Sequence, residues 1–248
     1  TWLPYGFWQY RGQQPKQPKA TTKGTHSFAG GMQAFVDAIE KAIAPQIRLG
    51  EEGLAKVSPD QPALLTLPAY RAADYFGDHT IGRLLRATPY TPIVSVKLIF
   101  KAQDVPGFQA GFGCLLPRSE GKQLLGLLFN HSIFPENTKD GYYSFTGIMR
   151  DDVYEEEQPL QQKSDSALVE LVLQEMNDLM EHNGNPLYTH VDRYPKGIPL
   201  YTPDHYDNLF TIDEYLRKDF PHIRLFGNYT GEISVRGMGQ TVIRHLGV

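Results

Sequence analysis

The stretch Ile93–Phe100 puts Val94, Val96, Leu98 and Phe100 on one side of an extended chain and Ser95, Lys97 and Ile99 on the other. A period of two fits a pleated strand with one buried face and does not fit a helix. Three more apolar runs follow at hairpin-like spacing, Phe112–Leu116, Leu124–Phe129 and Tyr142–Met149. The segment Pro135–Gly141 reads as the turn before the last of them. Successive strands of this kind commit the middle of the chain to a largely antiparallel sheet. One face of such a sheet must be buried against other elements.

Helical periodicity supplies those elements. Met32, Phe35, Val36, Ile39 and Ile43 share a face, as do Tyr70, Ala73, Phe76, Leu84 and Leu85 within 69–85. The stripe Leu168, Leu171, Val172, Met176, Leu179 and Met180 predicts an amphipathic helix over 166–182, ended by Asn183-Gly184. Further helices are predicted over 207–218 and from Ser234 onward. Short strands are predicted at 62–68, 188–194 and 225–226. Strands and helices mix without a regular alternation, so the predicted class is α+β: a mixed or antiparallel sheet flanked by helices, with α/β character at its two ends. Residues 1–26 read as irregular, and 151–165 as a solvated acidic and glutamine-rich loop.

Composition narrows the function classes. The 248 residues carry 24 Lys plus Arg against 28 Asp plus Glu, a net charge of -4, which gives no support to nucleic-acid binding. One cysteine, Cys114, excludes an internal disulfide or a multi-cysteine metal site. The histidines show no His-Glu-x-x-His or other paired metal spacing. There is no Gly-x-Ser-x-Gly elbow and no Gly-x-Gly-x-x-Gly segment after a predicted strand. No run approaches the roughly 18 apolar residues of a membrane-spanning helix, and the expected location is cytoplasmic, with room for peripheral membrane contact. No acid, base or nucleophile stands out, which is compatible with a reaction run by a cofactor.

Two groups of residues suggest binding. Arg224–Gly239 reads as a strand that stops at Gly227, a loop, and a helix starting near Ile233 or Ser234. Glycines there let backbone approach a bound group, and the helix N-terminus offers free N–H groups. A plain strand–loop–helix joint with turn glycines explains the same spacing. Leu115, Leu116, Leu127, Leu128, Phe129 and Phe145 come from successive strands and suit the wall of a flat apolar pocket; ordinary core residues would look the same.

Taken in order, several segments resemble the protoporphyrinogen oxidases among the FAD-dependent amine-oxidase-like flavoproteins. They are Ser27-Phe-Ala-Gly-Gly-Met-Gln33, Ala63-Leu-Leu-Thr-Leu-Pro-Ala69 and, most specific, Gly111-Phe-Gly-Cys-Leu-Leu-Pro-Arg-Ser-Glu120. Leu125–Phe129, Ile133–Pro135, Tyr143–Gly147 and Gly227–Val235 follow in the same order. The resemblance implies FAD as cofactor, a tetrapyrrole as partner, and oxygen-dependent oxidation of protoporphyrinogen IX to protoporphyrin IX in heme biosynthesis. It implies macrocycle contacts at Leu115, Leu128 and Phe145, and flavin contacts at Gly227, Asn228, Ile233, Ser234 and Val235. It also implies the parts of an FAD-binding domain at 27–68 and 196–248, a substrate-binding domain at 69–195, and leaves room for a homodimer. Three features depart from the family pattern. The N-terminal dinucleotide-binding motif and the family's upstream propionate-binding arginine have no counterpart. The segment between Ile47 and Pro62 is short. Glu232 stands where the family has a small residue, and a carboxylate there is expected to oppose a flavin or to point to solvent. Another amine-oxidase-like flavoenzyme and a non-catalytic tetrapyrrole-binding module are the alternative expectations.

Overall fold

The computed structural model describes residues 27–51, 57–150 and 159–246. The expectations for residues 1–26 and for the acidic stretch at 151–158 lie outside these. The chain divides into two compact units, Thr1–Arg48 and Leu49–Val248. In the first, helix α1 (Met32–Ile43) follows Gly31 as predicted and ends at the 3-10 turn Ala44–Gln46. Phe28 stacks on Phe35 with ring centroids 4.9 Å apart.

The second unit opens with a short strand, β1 (Ala63–Leu65), and then helices α2 (Ala69–Phe76) and α3 (Thr80–Arg86). The single helix expected over 69–85 is broken at Gly77, which takes a φ of +52°. Next come β2 (Tyr90–Lys101), β3 (Gly113–Leu115), β4 (Leu124–Phe129), the one-turn helix α4 (Asn130–Ile133) and β5 (Tyr142–Arg150). Helix α5 (Asp165–Asn177) is capped by Ser164, whose hydroxyl accepts from the Ala167 N–H. The remaining elements are β6 (Tyr188–Pro199), α6 (His205–Asp219), β7 (Ile223–Leu225) and α7 (Val235–Leu246).

Five strands form one sheet in the order β3-β4-β5-β2-β6, with every pairing antiparallel. Its inward rows, including Val94, Val96, Leu98, Leu127, Phe129, Phe145 and Met149, pack against Leu168, Val172 and Met176 of α5. The alternation of β2 is therefore what fixes the fold: its even-numbered residues bury this face against a helix. The Glu175 carboxylate of α5 accepts from the backbone N–H groups of Gln123 and Leu124, clasping the helix to the start of β4. Burying the apolar face of Phe145 alone is worth about 1.5–3 kcal/mol.

The second core gathers around a two-stranded parallel sheet of β1 and β7. Ala69, Ala72, Phe76, Ile81 and Leu85 pack here with Ile212, Leu216, Ile223 and Tyr229. Helices α2 and α3 thus pack with the β1–β7 pair. The architecture is α+β, as the patterning predicts.

Candidate functional site

Helix α5 covers one face of the five-stranded sheet, so the odd-numbered residues of β2 look the other way. Register places Leu128, Thr146, Lys97 and His190 in one row across four strands, and Gly126, Ile148, Ser95 and Asp192 in the next. Leu115 sits opposite Gly126 and is 82% exposed. A Cβ on Gly126 would come within 3.0 Å of the Leu115 side chain, so the absence of a side chain at 126 is what lets Leu115 lie across the sheet. Exposed Tyr188 and Tyr194 extend the same face along β6. The result is a shelf whose floor is Gly126, Ile148, Ser95 and Thr146, the Thr146 hydroxyl accepting from Asn130 Nδ2 at 2.6 Å, with Leu115 and Leu128 on its β3–β4 side.

A polar group closes the other side. Lys97 Nζ lies 3.3 Å from Asp192 Oδ2, and His190 Nε2 lies 3.1 Å from Asp192 Oδ1. Burial pushes the Asp192 carboxyl up, and the hydrogen bonds and charges of Lys97 and His190 outweigh that and hold it below its ordinary value. Sequence reading passed over this group. Two signals were available: Lys97 on the polar side of the β2 alternation, and the two-residue spacing of His190 and Asp192, which places both on one face of a strand.

The three expected macrocycle contacts do not share a surface. Leu115 and Leu128 belong to the shelf. Phe145 pairs with Phe129 and Leu98 on the opposite face and is 0% exposed. The pleat explains the split: Phe145 and Thr146 are consecutive residues and point opposite ways, and it is Thr146 that stands beside Leu128. The expected pocket wall divides in the same way, with Leu116, Leu127 and Phe129 in the core.

The expected flavin contacts lie in the second core, where β7 leads into α7. Gly227 has extended backbone and is held close to its neighbours: a Cβ there would sit 2.8 Å from the Tyr229 ring. The Tyr229 carbonyl is bonded to His205 Nε2 at 2.8 Å, and the Tyr201 hydroxyl donates to the Asn228 carbonyl, tying the chain just beyond β6 to this joint. Tyr201 stacks on His205 at 4.6 Å. Burial raises the Tyr201 hydroxyl above its ordinary value, and the charge of Glu232 adds to this. Ile233 and Val235 are 71% and 56% exposed. Ser234 caps α7, its hydroxyl accepting from the Gly237 N–H at 3.0 Å. The Glu232 carboxylate lies against the same turn, where a side chain on Gly237 would collide with it. The joint thus brings its own negative charge to the positive end of α7.

At that helix end Ser234 takes the Gly237 N–H, and a flavin phosphate approaching it would meet the Glu232 carboxylate. A cleft of about 670 Å³ lies beside β1 and β7, walled by Leu64, Leu209, Leu216, His222, Arg224 and Val242 among others. Among the described residues no group of histidine, cysteine and acidic side chains is placed to hold a metal, and no helix is long and apolar enough to cross a membrane.

The arrangement of an antiparallel sheet backed by a helix, beside a small parallel pair feeding a C-terminal helix, matches the FAD-dependent amine-oxidase-like fold. A protein assigned as a protoporphyrinogen oxidase from an Exiguobacterium species aligns with a TM-score of 0.61 over 74% of this chain and 40% of its own, at 20% identity. A reduced UDP-galactopyranose mutase aligns at 0.58 over the same shares, at 13% identity. In sequence, the chain is a distant homologue of the protoporphyrinogen oxidases over most of its length. The mitochondrial protoporphyrinogen oxidase of Nicotiana tabacum is 25% identical over 88% of this chain and 49% of its own length. The coproporphyrinogen III oxidase of Staphylococcus aureus is 22% identical over 86% and 48%. No family model matches. The chain spans about half the length of these curated relatives, a family that uses FAD.

Proposed function

We propose that this chain carries the substrate-binding face of a protoporphyrinogen-oxidase-like flavoprotein. Its ligand is a tetrapyrrole, and the reaction it serves is the oxygen-dependent oxidation of protoporphyrinogen IX to protoporphyrin IX. The observation that carries this reading is the shelf. Leu115, Leu128 and Ile148 stand on the sheet face opposite α5, beside Gly126, Ser95 and Thr146. A flat apolar ring system needs broad apolar contact, which Leu115, Leu128 and Ile148 together offer. In the family, FAD supplies the oxidising chemistry. In this chain the residues at 227–235 do not offer FAD a fitting helix end, so the chain's own contribution is to bind and orient the macrocycle and shield it from water on one side.

Glu232 at the start of α7 favours a second reading in which the chain is a tetrapyrrole-binding module that does no oxidation by itself. Mixing the protein with FAD and protoporphyrin IX together, desalting, and recording the spectrum tests both readings. Retained porphyrin without flavin is the expected result. Stoichiometric retained flavin would overturn the reading of the joint, and loss of the porphyrin would overturn the reading of the shelf.

A further inference from the structure

We infer that Lys97, positioned by Asp192, is the anchor for a carboxylate on the rim of the ligand bound at the shelf. The inference rests on the shelf reading above and adds to it the polar contact that an apolar floor cannot supply. Four observations carry it.

First, Lys97 stands in the same cross-strand row as Leu128, with only Thr146 between them. Two strand spacings separate Leu128 from Lys97, about 10 Å. A disc lying over Leu128 and Thr146 therefore meets Lys97 at its rim and not under its ring. Second, the side chain is held but not used up. Asp192 engages one ammonium donor of a group that has three, and the Lys97 side chain is 50% exposed. Third, Lys97 supplies a cation at the rim. Lys97 and His190 flank a single carboxylate, Asp192, and Arg150 lies at the end of the same face by register. An arriving carboxylate completes a charge-assisted network in which Asp192 fixes both neighbours. Fourth, the polarity of the shelf is graded. Apolar Leu115 and Leu128 occupy the β3–β4 side, and the polar Lys97–Asp192–His190 group occupies the β2–β6 side. A ligand with a greasy body and acidic groups along one edge matches this gradient in a single orientation, so Lys97 selects for acids and also sets the direction in which the ring lies.

Lys97 binds ligand in this account. Asp192 is a positioning residue that holds the ammonium over the floor, and His190 holds the second oxygen of Asp192.

The test uses protoporphyrin IX and its dimethyl ester, which keeps the ring and removes both negative charges. Each is titrated into the full chain in the same mild detergent and followed by the Soret band. The wild-type protein is expected to bind the diacid about tenfold tighter than the diester, the scale of one hydrogen bond to a charged group. Lys97→Gln is expected to bind both alike, at the affinity wild type shows for the diester, and Lys97→Arg to restore much of the preference. A thermal melt of Lys97→Gln checks the fold, and an exposed position predicts little change. Equal binding of diacid and diester by wild type would overturn the role of Lys97 and leave the shelf reading standing. So would an unchanged preference in Lys97→Gln. Failure of wild type to bind either compound would overturn both.

Discussion

Leu128 and Phe145 lie on neighbouring strands of one sheet and face opposite ways, Leu128 beside Thr146 on the uncovered face and Phe145 against Phe129 in the core. Their consequences on mutation separate accordingly. Phe145→Ala removes a fully buried ring and is expected to cost about 3–5 kcal/mol. Leu115→Ala, at an 82% exposed position, is expected to change stability by less than about 0.5 kcal/mol. Urea unfolding of the two variants checks this; comparable losses would mean that Leu115 is covered.

Tyr229 is buried with a hydroxyl that has no hydrogen-bond partner among the described residues. Burial, with a lesser contribution from Tyr90, raises its pKa well above the ordinary value of 10.0. The folded state therefore favours the neutral phenol. The stability this provides is complete below the unfolded value near pH 10 and is lost as pH rises above it. Tyr229→Phe keeps the ring and removes the unpaired group, so stability at pH 7 is expected to stay level or rise by up to about 1 kcal/mol. The fall in stability above pH 10 is expected to become shallower. It does not vanish, because burial also raises Tyr90 and Tyr201. Denaturation midpoints at pH 7, 9 and 10.5 provide the measurement, and a large loss at pH 7 would reveal a hydroxyl partner.

Gly227 has no room for a methyl group. A Cβ would stand 2.8 Å and 3.1 Å from two carbons of the fully buried Tyr229 ring. Gly227→Ala is expected to destabilise by about 1–3 kcal/mol through overpacking. A melting temperature equal to wild type would show that the ring can move aside, leaving this glycine free for a ligand-facing role.

Glu232 places a carboxylate at the first turn of α7. Its removal in Glu232→Gln is expected to cost about 0.3–1 kcal/mol, the value of an anion at a helix N-terminus. The same change is expected to raise flavin affinity, read as quenching of FAD fluorescence. Weaker flavin binding in Glu232→Gln would indicate that the carboxylate assists the cofactor.

Much of the architecture was legible because periodicity records burial. The alternation in β2 predicted its buried row residue by residue, and the stripe at 168–176 predicted the helix that covers it. The site was legible only in part. Leu115, Leu128 and Phe145 were grouped by the strand pattern and by family resemblance, although Phe145 is one residue out of phase with Thr146, which stands beside Leu128. Linear order along a strand does not say which pleat aligns with which until the register is known. The Lys97–Asp192–His190 group escaped for the same reason: Lys97 is about 95 residues from its partners in sequence and meets them only through the β2–β6 pairing. Glu232 was recognised as unusual. That it lies on the α7 turn, and does not reach into solvent, required the backbone of the joint.

The most direct test of the shelf is a protoporphyrin IX titration of the wild-type chain beside Leu115→Ala/Leu128→Ala, followed at the Soret band. Saturable one-to-one binding is expected, weakened about tenfold or more in the double variant with its melting curve little changed, since two apolar contacts are lost. Undiminished affinity in a folded double variant would contradict the account, because the macrocycle would then lie elsewhere.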